Sequence, residues 1–377
     1  MNIVEYKLED ILIRAEEGAT LSAQDITFLL SLKDRKHLRR VFQSSRKLRQ
    51  RHFGDRIFLY GFVYISTYCR NDCGFCFYRR SNPESTRYRK TRQEIMVAAD
   101  RLTESNVHLI DLTMGEDPIF YSERERGLEK LIDLVASVKN KTGLPIMVSP
   151  GVMTEYQLMK IAEAGATWYA CYQETHNRRL FAKLRPDQNY EERLNAKFVA
   201  HHQGLLIEEG VLCGVDETVS DLAHSIKIMQ ELKSDQVRAM TFVPQPGTPM
   251  SKMVCPDSYR ERLMIAVMRL IFPKILIPAS LDVNGLEGLK CRLDAGANVI
   301  TSIVPPGAGL AGVASPSKGI EDGSRTVKVV LKTLEACGLK EASDEEYKKW
   351  VKIRKDEFEK KIAEDLLQDT KNICRPD

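Results

Sequence analysis

From residue 56 onward the chain repeats one pattern: a short run of β-branched, aliphatic or aromatic residues, a loop, then a stretch whose apolar positions recur at helical spacing. Eight runs read as strands. They are "IFLYGFVYI" (57–65), "HLIDLTM" (108–114), "PIMVS" (145–149), "TWYACY" (167–172), "VLCGV" (211–215), "QVRAMTFV" (236–243), "ILIPASL" (275–281) and "NVITSIV" (298–304). Between them lie amphipathic stretches such as "TRQEIMVAADRLTES" and "TVSDLAHSIKIMQELKS". Strands alternating with helices imply right-handed crossovers and a parallel sheet. Eight such units predict an α/β fold, a closed (β/α)8 TIM barrel over residues 56–340.

The flanks read differently. Residues 1–55 form a helical extension, in which "LEDILIRAEEG" ends at Gly18 and "TLSAQDITFLLSL" offers Thr20 or Ser22 as an N-cap. Residues 341–377 read as a highly charged helix, packed on the barrel or fraying from it.

Composition adds exclusions. With 43% hydrophobic and 29% charged residues and a formal charge of +4, the chain is globular in type and too near neutral to argue for a nucleic-acid partner. One basic stretch, "RKHLRRVFQSSRKLRQRHFGDR" (35–56), sets Leu38, Val41, Phe42 and Leu48 along a helical stripe. It reads as a surface helix with a solvated face rather than an RNA-binding patch. The best apolar run, "LIFPKILIPASL", is broken by two prolines and a lysine, so no membrane partner is expected. The charged start "MNIVEYKLED" lacks the apolar core of a secretory signal, and a cytoplasmic location is expected. Nine cysteines in a reducing compartment argue against a disulfide framework. Cys171, Cys213, Cys255, Cys291, Cys337 and Cys374 are scattered and read as small buried apolar residues or bystanders.

The other three cysteines are not scattered. "STYCRNDCGFCFYRRS" (66–81) places Cys69, Cys73 and Cys76 in one loop directly after the first strand, at the end of a parallel barrel where catalysis is built. A structural zinc wants four ligands, and no second pair stands at a usual spacing. Three thiolates on an iron–sulfur cube would leave one iron open to a small molecule.

The spacing C-x3-C-x-aromatic-C, with Phe75 in the aromatic position, resembles the signature of radical S-adenosylmethionine enzymes. The resemblance implies a 4Fe–4S cluster on Cys69, Cys73 and Cys76, with S-adenosylmethionine on the unique iron and an external one-electron reductant. It implies further cofactor-binding residues. "TMGED" resembles the family's Gly-Gly-Glu turn, with Met114 in place of the first glycine and Glu116 as acceptor of the methionine amine. "YQET" offers Gln173 and Glu174 near ribose and amine. Arg193 matches an arginine that pairs with the methionine carboxylate, and "VLCGVDE", with Cys213, stands where the family stacks on adenine.

Three charges sit inside predicted strands: Asp111, Arg238 and Asp282, the last two residues beyond Ser280. Buried charges must be compensated, by one another or by a ligand. Two acids and one guanidinium leave one negative charge over, which a diamino acid of net charge +1 would complete. Arg238 would take its carboxylate as a bidentate fork, and Asp111 and Asp282 its amines, with Ser280 adding a hydrogen bond.

Charge alone does not choose among diamino acids. Over roughly residues 5–340 the chain resembles the methylornithine synthases of pyrrolysine biosynthesis, in segments such as "DLTMGEDP", "VRAMTFVPQPGTP" and "IPASLDVNGLEGLKCRLDAGANVITSIVPP". That likeness implies a mutase rearranging L-lysine to (3R)-3-methyl-D-ornithine through hydrogen abstraction, fragmentation to a glycyl radical and recombination; separately, a monomer is expected. It implies Asp111, Arg238, Ser280 and Asp282 as substrate contacts. The competing readings are a biotin-synthase-like or hydrogenase-maturase-like enzyme on another small substrate, and a zinc-stapled RNA-binding module.

Overall fold

The computed structural model describes residues 3–124, 126–306 and 325–373, so 307–324 of the expected barrel and the last four residues, Cys374 among them, lie outside the described residues. Eight parallel strands form, each in or overlapping an expected run: β1 (Arg56–Ser66), β2 (Leu109–Met114), β3 (Ile146–Ser149), β4 (Trp168–Ala170), β5 (Leu206–Cys213), β6 (Gln236–Thr241), β7 (Pro278–Ser280) and β8 (Val299–Ile303). They pair in the order β6-β5-β4-β3-β2-β1-β8-β7. β6 reaches the chain ahead of β7 through a single bridge, Gln236 to Leu276, with Val237 N donating to Leu276 O at 3.0 Å. The barrel is therefore nearly, not fully, closed. β7 is only three residues long and opens on Pro278, which has no N–H to extend a ladder.

β1 shows why the sheet curls. Its aromatic residues Phe58, Tyr60, Phe62 and Tyr64 alternate with Ile57, Leu59, Val63 and Ile65. The aliphatic set joins the large core between sheet and helices, while the aromatics fall in two separate interior clusters. Gly61 breaks the aliphatic row because a Cβ there would meet Leu102 at 2.9 Å, so the glycine lets helix Arg92–Glu104 settle against the strand. That helix, like those starting after Thr154 and Thr218, opens with a reciprocal capping box, here Thr91 with Glu94.

The N-terminal extension is three helices, α1 (Ile3–Glu16), α2 (Ala23–Ser31) and α3 (Arg35–Phe53). Ser22 is the N-cap of α2, sharing a capping box with Asp25. The basic stretch becomes α3, and its cations turn to acids of α1: Lys36 to Glu5 at 2.7 Å, Arg40 to Glu9 at 2.7 Å, and Lys47 to Glu16.

A ninth strand, β9 (Lys340–Glu341), pairs with the start of β1. It leads into helix Asp344–Ile373 at the N-terminal end of the barrel. There Tyr347 is buried, its hydroxyl 2.8 Å from that of Tyr60, and Trp350 stacks on Trp168. Among the described residues, no helix is long and apolar enough to cross a membrane.

Candidate functional site

The loop that follows β1 carries Cys69, Cys73 and Cys76 to the C-terminal end of the barrel, where all three line a cavity of about 260 Å³. Backbone bonds fix the loop from several sides. Arg70 N donates to Glu116 O at 2.9 Å, Gly74 N to Leu184 O at 2.8 Å, and Met250 N to Gly74 O at 3.3 Å. Gly115 permits the close approach of the next loop, since a Cβ there would stand 2.4 Å from Tyr68 O. The Cys73 sulfur accepts from Gln188 Nε2 at 3.1 Å and from Arg185 Nη1 at 3.4 Å, and the Cys69 sulfur from Asn71 N at 3.4 Å.

Among the described residues, no three His, Cys, Asp or Glu side chains are arranged to hold a single metal ion. The cysteines nevertheless fit an iron–sulfur cluster, which takes each thiolate on a separate iron and does not need them to meet at a point. Burial pushes the Cys69 thiol up, and burial, then Cys73 and Cys69, push the Cys76 thiol up to about 12. A cluster's positive irons would reverse that preference, and the N–H donors on the Cys73 sulfur suit a thiolate.

Around the same cavity stand several of the expected cofactor residues. Phe75, Glu116, Glu174 and Arg193 all line it. Arg193, from helix Tyr190–His202, is buried; its Nε donates to Tyr172 O at 2.7 Å and its Nη1 to Glu116 Oε1 at 3.2 Å. Glu116 also accepts from Arg70 Nε at 3.0 Å and Val152 N at 3.2 Å. Burial opposes its charge, but Arg193 and Arg70 hold its carboxyl below the usual range. Glu174 accepts from Arg185 Nη2 at 2.7 Å and has a left-handed backbone, φ +68°, which lets it bridge back to β5. Burial pushes its carboxyl up. Gln173 and Cys213 do not line the cavity. The Gln173 amide is occupied by Lys197 Nζ at 2.9 Å and by Tyr190 O at 3.0 Å, and beside Cys213 it is Leu212 that faces the cavity.

Asp282 lines the cavity too, whereas Asp111 and Arg238 lie just beneath its lining. Asp111 accepts from Thr113 Oγ1 at 2.7 Å and Ser149 Oγ at 3.3 Å, both from cavity-lining residues. No cation hydrogen-bonds to it among the described residues, and burial, with Glu208 adding to it, pushes its carboxyl up to about 7. Arg238 Nε donates to Glu208 Oε1 at 2.7 Å, and its Nη1 lies 3.9 Å from the sulfur of cavity-lining Met240. Asp282 accepts from Arg325 Nη1 at 3.0 Å, Ser302 Oγ at 2.7 Å and Ser280 Oγ at 3.1 Å. The three strand charges thus do not pair with one another; Arg238 and Asp282 each have a partner that the sequence did not reveal. Three carboxylates face two guanidiniums, and one negative charge is still left over.

Glu208 was hidden by a boundary. β5 begins at Leu206, not at 211, so "IEEG" is strand, with Glu208 inside the barrel and Glu209 ion-paired to Lys197. Two adjacent acids look like a solvated turn, yet both are fully buried because neighbouring elements supply their cations. Arg185 and Gln188, the donors to Cys73, come from "LRPDQ", which has no motif character. The apolar residues on both sides of the two acids, Leu206 and Ile207 before them and Val211 to Cys213 after, are the signal that would have exposed Glu208; nothing comparable marks Arg325.

A model of the Radical SAM superfamily matches residues 63–228. The chain is 44% identical over 331 residues to a 3-methylornithine synthase of Methanosarcina acetivorans, spanning 88% of this chain and 93% of that one. It is 31% identical over 274 residues to the hydrogenase maturase subunit HydE of Thermotoga maritima, spanning 72% of this chain and 77% of that one. A crystal structure of methylornithine synthase superposes with a TM-score of 0.85 at 41% identity, over 90% of this chain and 99% of that one.

Proposed function

The chain belongs to the methylornithine synthase family of radical S-adenosylmethionine enzymes, and from that premise we propose that it rearranges L-lysine into (3R)-3-methyl-D-ornithine, with Asp111, Arg238, Ser280 and Asp282 receiving the substrate. A 4Fe–4S cluster with S-adenosylmethionine supplies, when bound, the radical that removes and returns a substrate hydrogen. Cys69, Cys73 and Cys76 would hold the cluster. Glu116 and Arg193, already paired at 3.2 Å, would separate to take the ammonium and carboxylate of the methionyl group. Glu174, set by Arg185, would face the rest of the nucleotide.

The observation that carries the substrate assignment is the charge beneath the cavity. Arg238 can meet a carboxylate with its Nη atoms. Asp282 with Ser280 can meet an α-ammonium. Asp111, with only hydroxyls on it, is the carboxylate left for a second ammonium. Three methylenes separate lysine's two ammonium-bearing carbons and would lie along Tyr64, Met240 and Phe242, which line the cavity and keep water from reactive fragments. The reductant is external. Anaerobic incubation with lysine, S-adenosylmethionine and a strong reductant tests the reading: a lysine isomer of unchanged mass with a new methyl signal supports it, and a product of altered mass opposes it.

A further inference from the structure

Arginine offers two edges to a carboxylate, the side edge that includes Nε and the end formed by its two Nη atoms. In this barrel the side edge is already used. Glu208 Oε1 accepts from Arg238 Nε at 2.7 Å, and the other oxygen of Glu208 accepts from the Tyr172 hydroxyl at 2.6 Å. Glu208 and Arg238 are buried in the wall formed by β5 and β6, Tyr172 is partly buried and lines the cavity, and the Arg238 guanidinium carbon lies 5.4 Å from the Tyr172 ring centroid. Gly210, paired in register with Arg238, makes the arrangement possible: a Cβ there would come within 3.0 Å of the Tyr172 ring.

We propose that Glu208 and Tyr172 are positioning residues that fix Arg238 so that only its Nη end is offered to the substrate carboxylate. This rests on the lysine reading given above. Burial opposes the charge on Arg238, and Glu208 together with Tyr172 and Asp282 more than restores it. Glu208, its charge already matched by Arg238, is a poorer site for an ammonium than Asp111, which has only hydroxyls on it. The substrate is thereby held in one direction, carboxylate towards β6 and ammonium towards β2. Neither Glu208 nor Tyr172 need touch the reacting carbons to do this.

The test uses the reconstituted holoenzyme and lysine, with E208A, E208Q, Y172F, R238A and the E208A/R238A double variant. Loss of a charge-assisted hydrogen bond should raise the KM for lysine about 10-fold to 100-fold in E208A, with kcat changed far less. E208Q, which retains an acceptor oxygen, should recover most of the loss, and Y172F should raise KM a few-fold. The double variant should be no worse than R238A, because Glu208 acts through Arg238. A wild-type KM in E208A or, should E208A not fold, in Y172F would overturn the inference while leaving the lysine pocket intact. So would a double variant whose penalty multiplies that of R238A. An unchanged KM in R238A would overturn the pocket and the inference together.

Discussion

Arg193 Nη1 and Glu116 Oε1 meet at 3.2 Å across the cavity rim, joining two groups 77 residues apart in the chain, both almost fully buried. An opposite pair of this kind is preorganised for a zwitterion, since each member already faces the charge that its ligand partner will carry. R193A and E116Q should therefore assemble the cluster normally and bind S-adenosylmethionine about 10-fold to 100-fold more weakly. Iron content and equilibrium dialysis on the same samples check this; loss of iron in either variant would assign the pair a structural role instead.

Gly151 holds the same carboxylate in place by having no side chain. Its φ is +92°, and a Cβ would fall 2.0 Å from Glu116 Cγ. G151A should reproduce the weakened cofactor binding of E116Q without removing any charge. Binding equal to wild type would mean that Glu116 has freedom the packing denies.

Asp111 makes the enzyme sensitive to pH with a definite sign. Burial raises its folded-state value from 3.8 to about 7. Between these values the folded chain keeps a proton that the unfolded chain has released, so stability from this group falls as pH rises from about 4 to about 7. D111N should gain in Tm relative to wild type as pH is raised through that window, in thermal melts without lysine. A difference in Tm that stays constant from pH 5 to pH 8 would contradict the assignment. With lysine, the ionised form is the one that meets an ammonium, so wild-type KM should rise as pH falls below about 7.

Gln188 donates to the Cys73 sulfur at 3.1 Å. Hydrogen bonds to cluster sulfurs favour the electron-rich reduced state. Q188A should keep its cluster but be harder to reduce, by about 40 mV for a bond contributing about 1 kcal/mol. A potentiometric titration followed by electron paramagnetic resonance reads the shift; an unchanged or raised midpoint would contradict it.

Much of this molecule was legible from one-dimensional pattern. β1 through β8 were visible because each lies in or overlaps a short apolar run bounded by loops. Cys69, Cys73 and Cys76 were visible because three thiols closely spaced in one loop can converge on a single metal centre. Asp111 and Arg238 stood out because a charge within an apolar run must face something. What pattern could not supply was compensation. Glu208 and Arg325 are the partners that decide how Arg238 and Asp282 are used, and they arrive from a misplaced strand start and from the chain beyond β8. Gln173 illustrates the opposite error of scale. Its neighbour Glu174 lines the cavity, while Gln173 itself, one residue away, bonds behind it to Lys197. Adjacent positions face opposite sides, and only the fold says which side is which.

The central claim, that this barrel rebuilds the carbon chain of lysine, is tested most directly with uniformly carbon-13-labelled lysine given to the reconstituted, reduced enzyme. The expected result is a product retaining all six labelled carbons, with one methyl carbon coupled to a branching carbon, formed far less by R238A at the same lysine concentration and not at all by C73A. Cleavage of S-adenosylmethionine with labelled lysine recovered intact would contradict the claim.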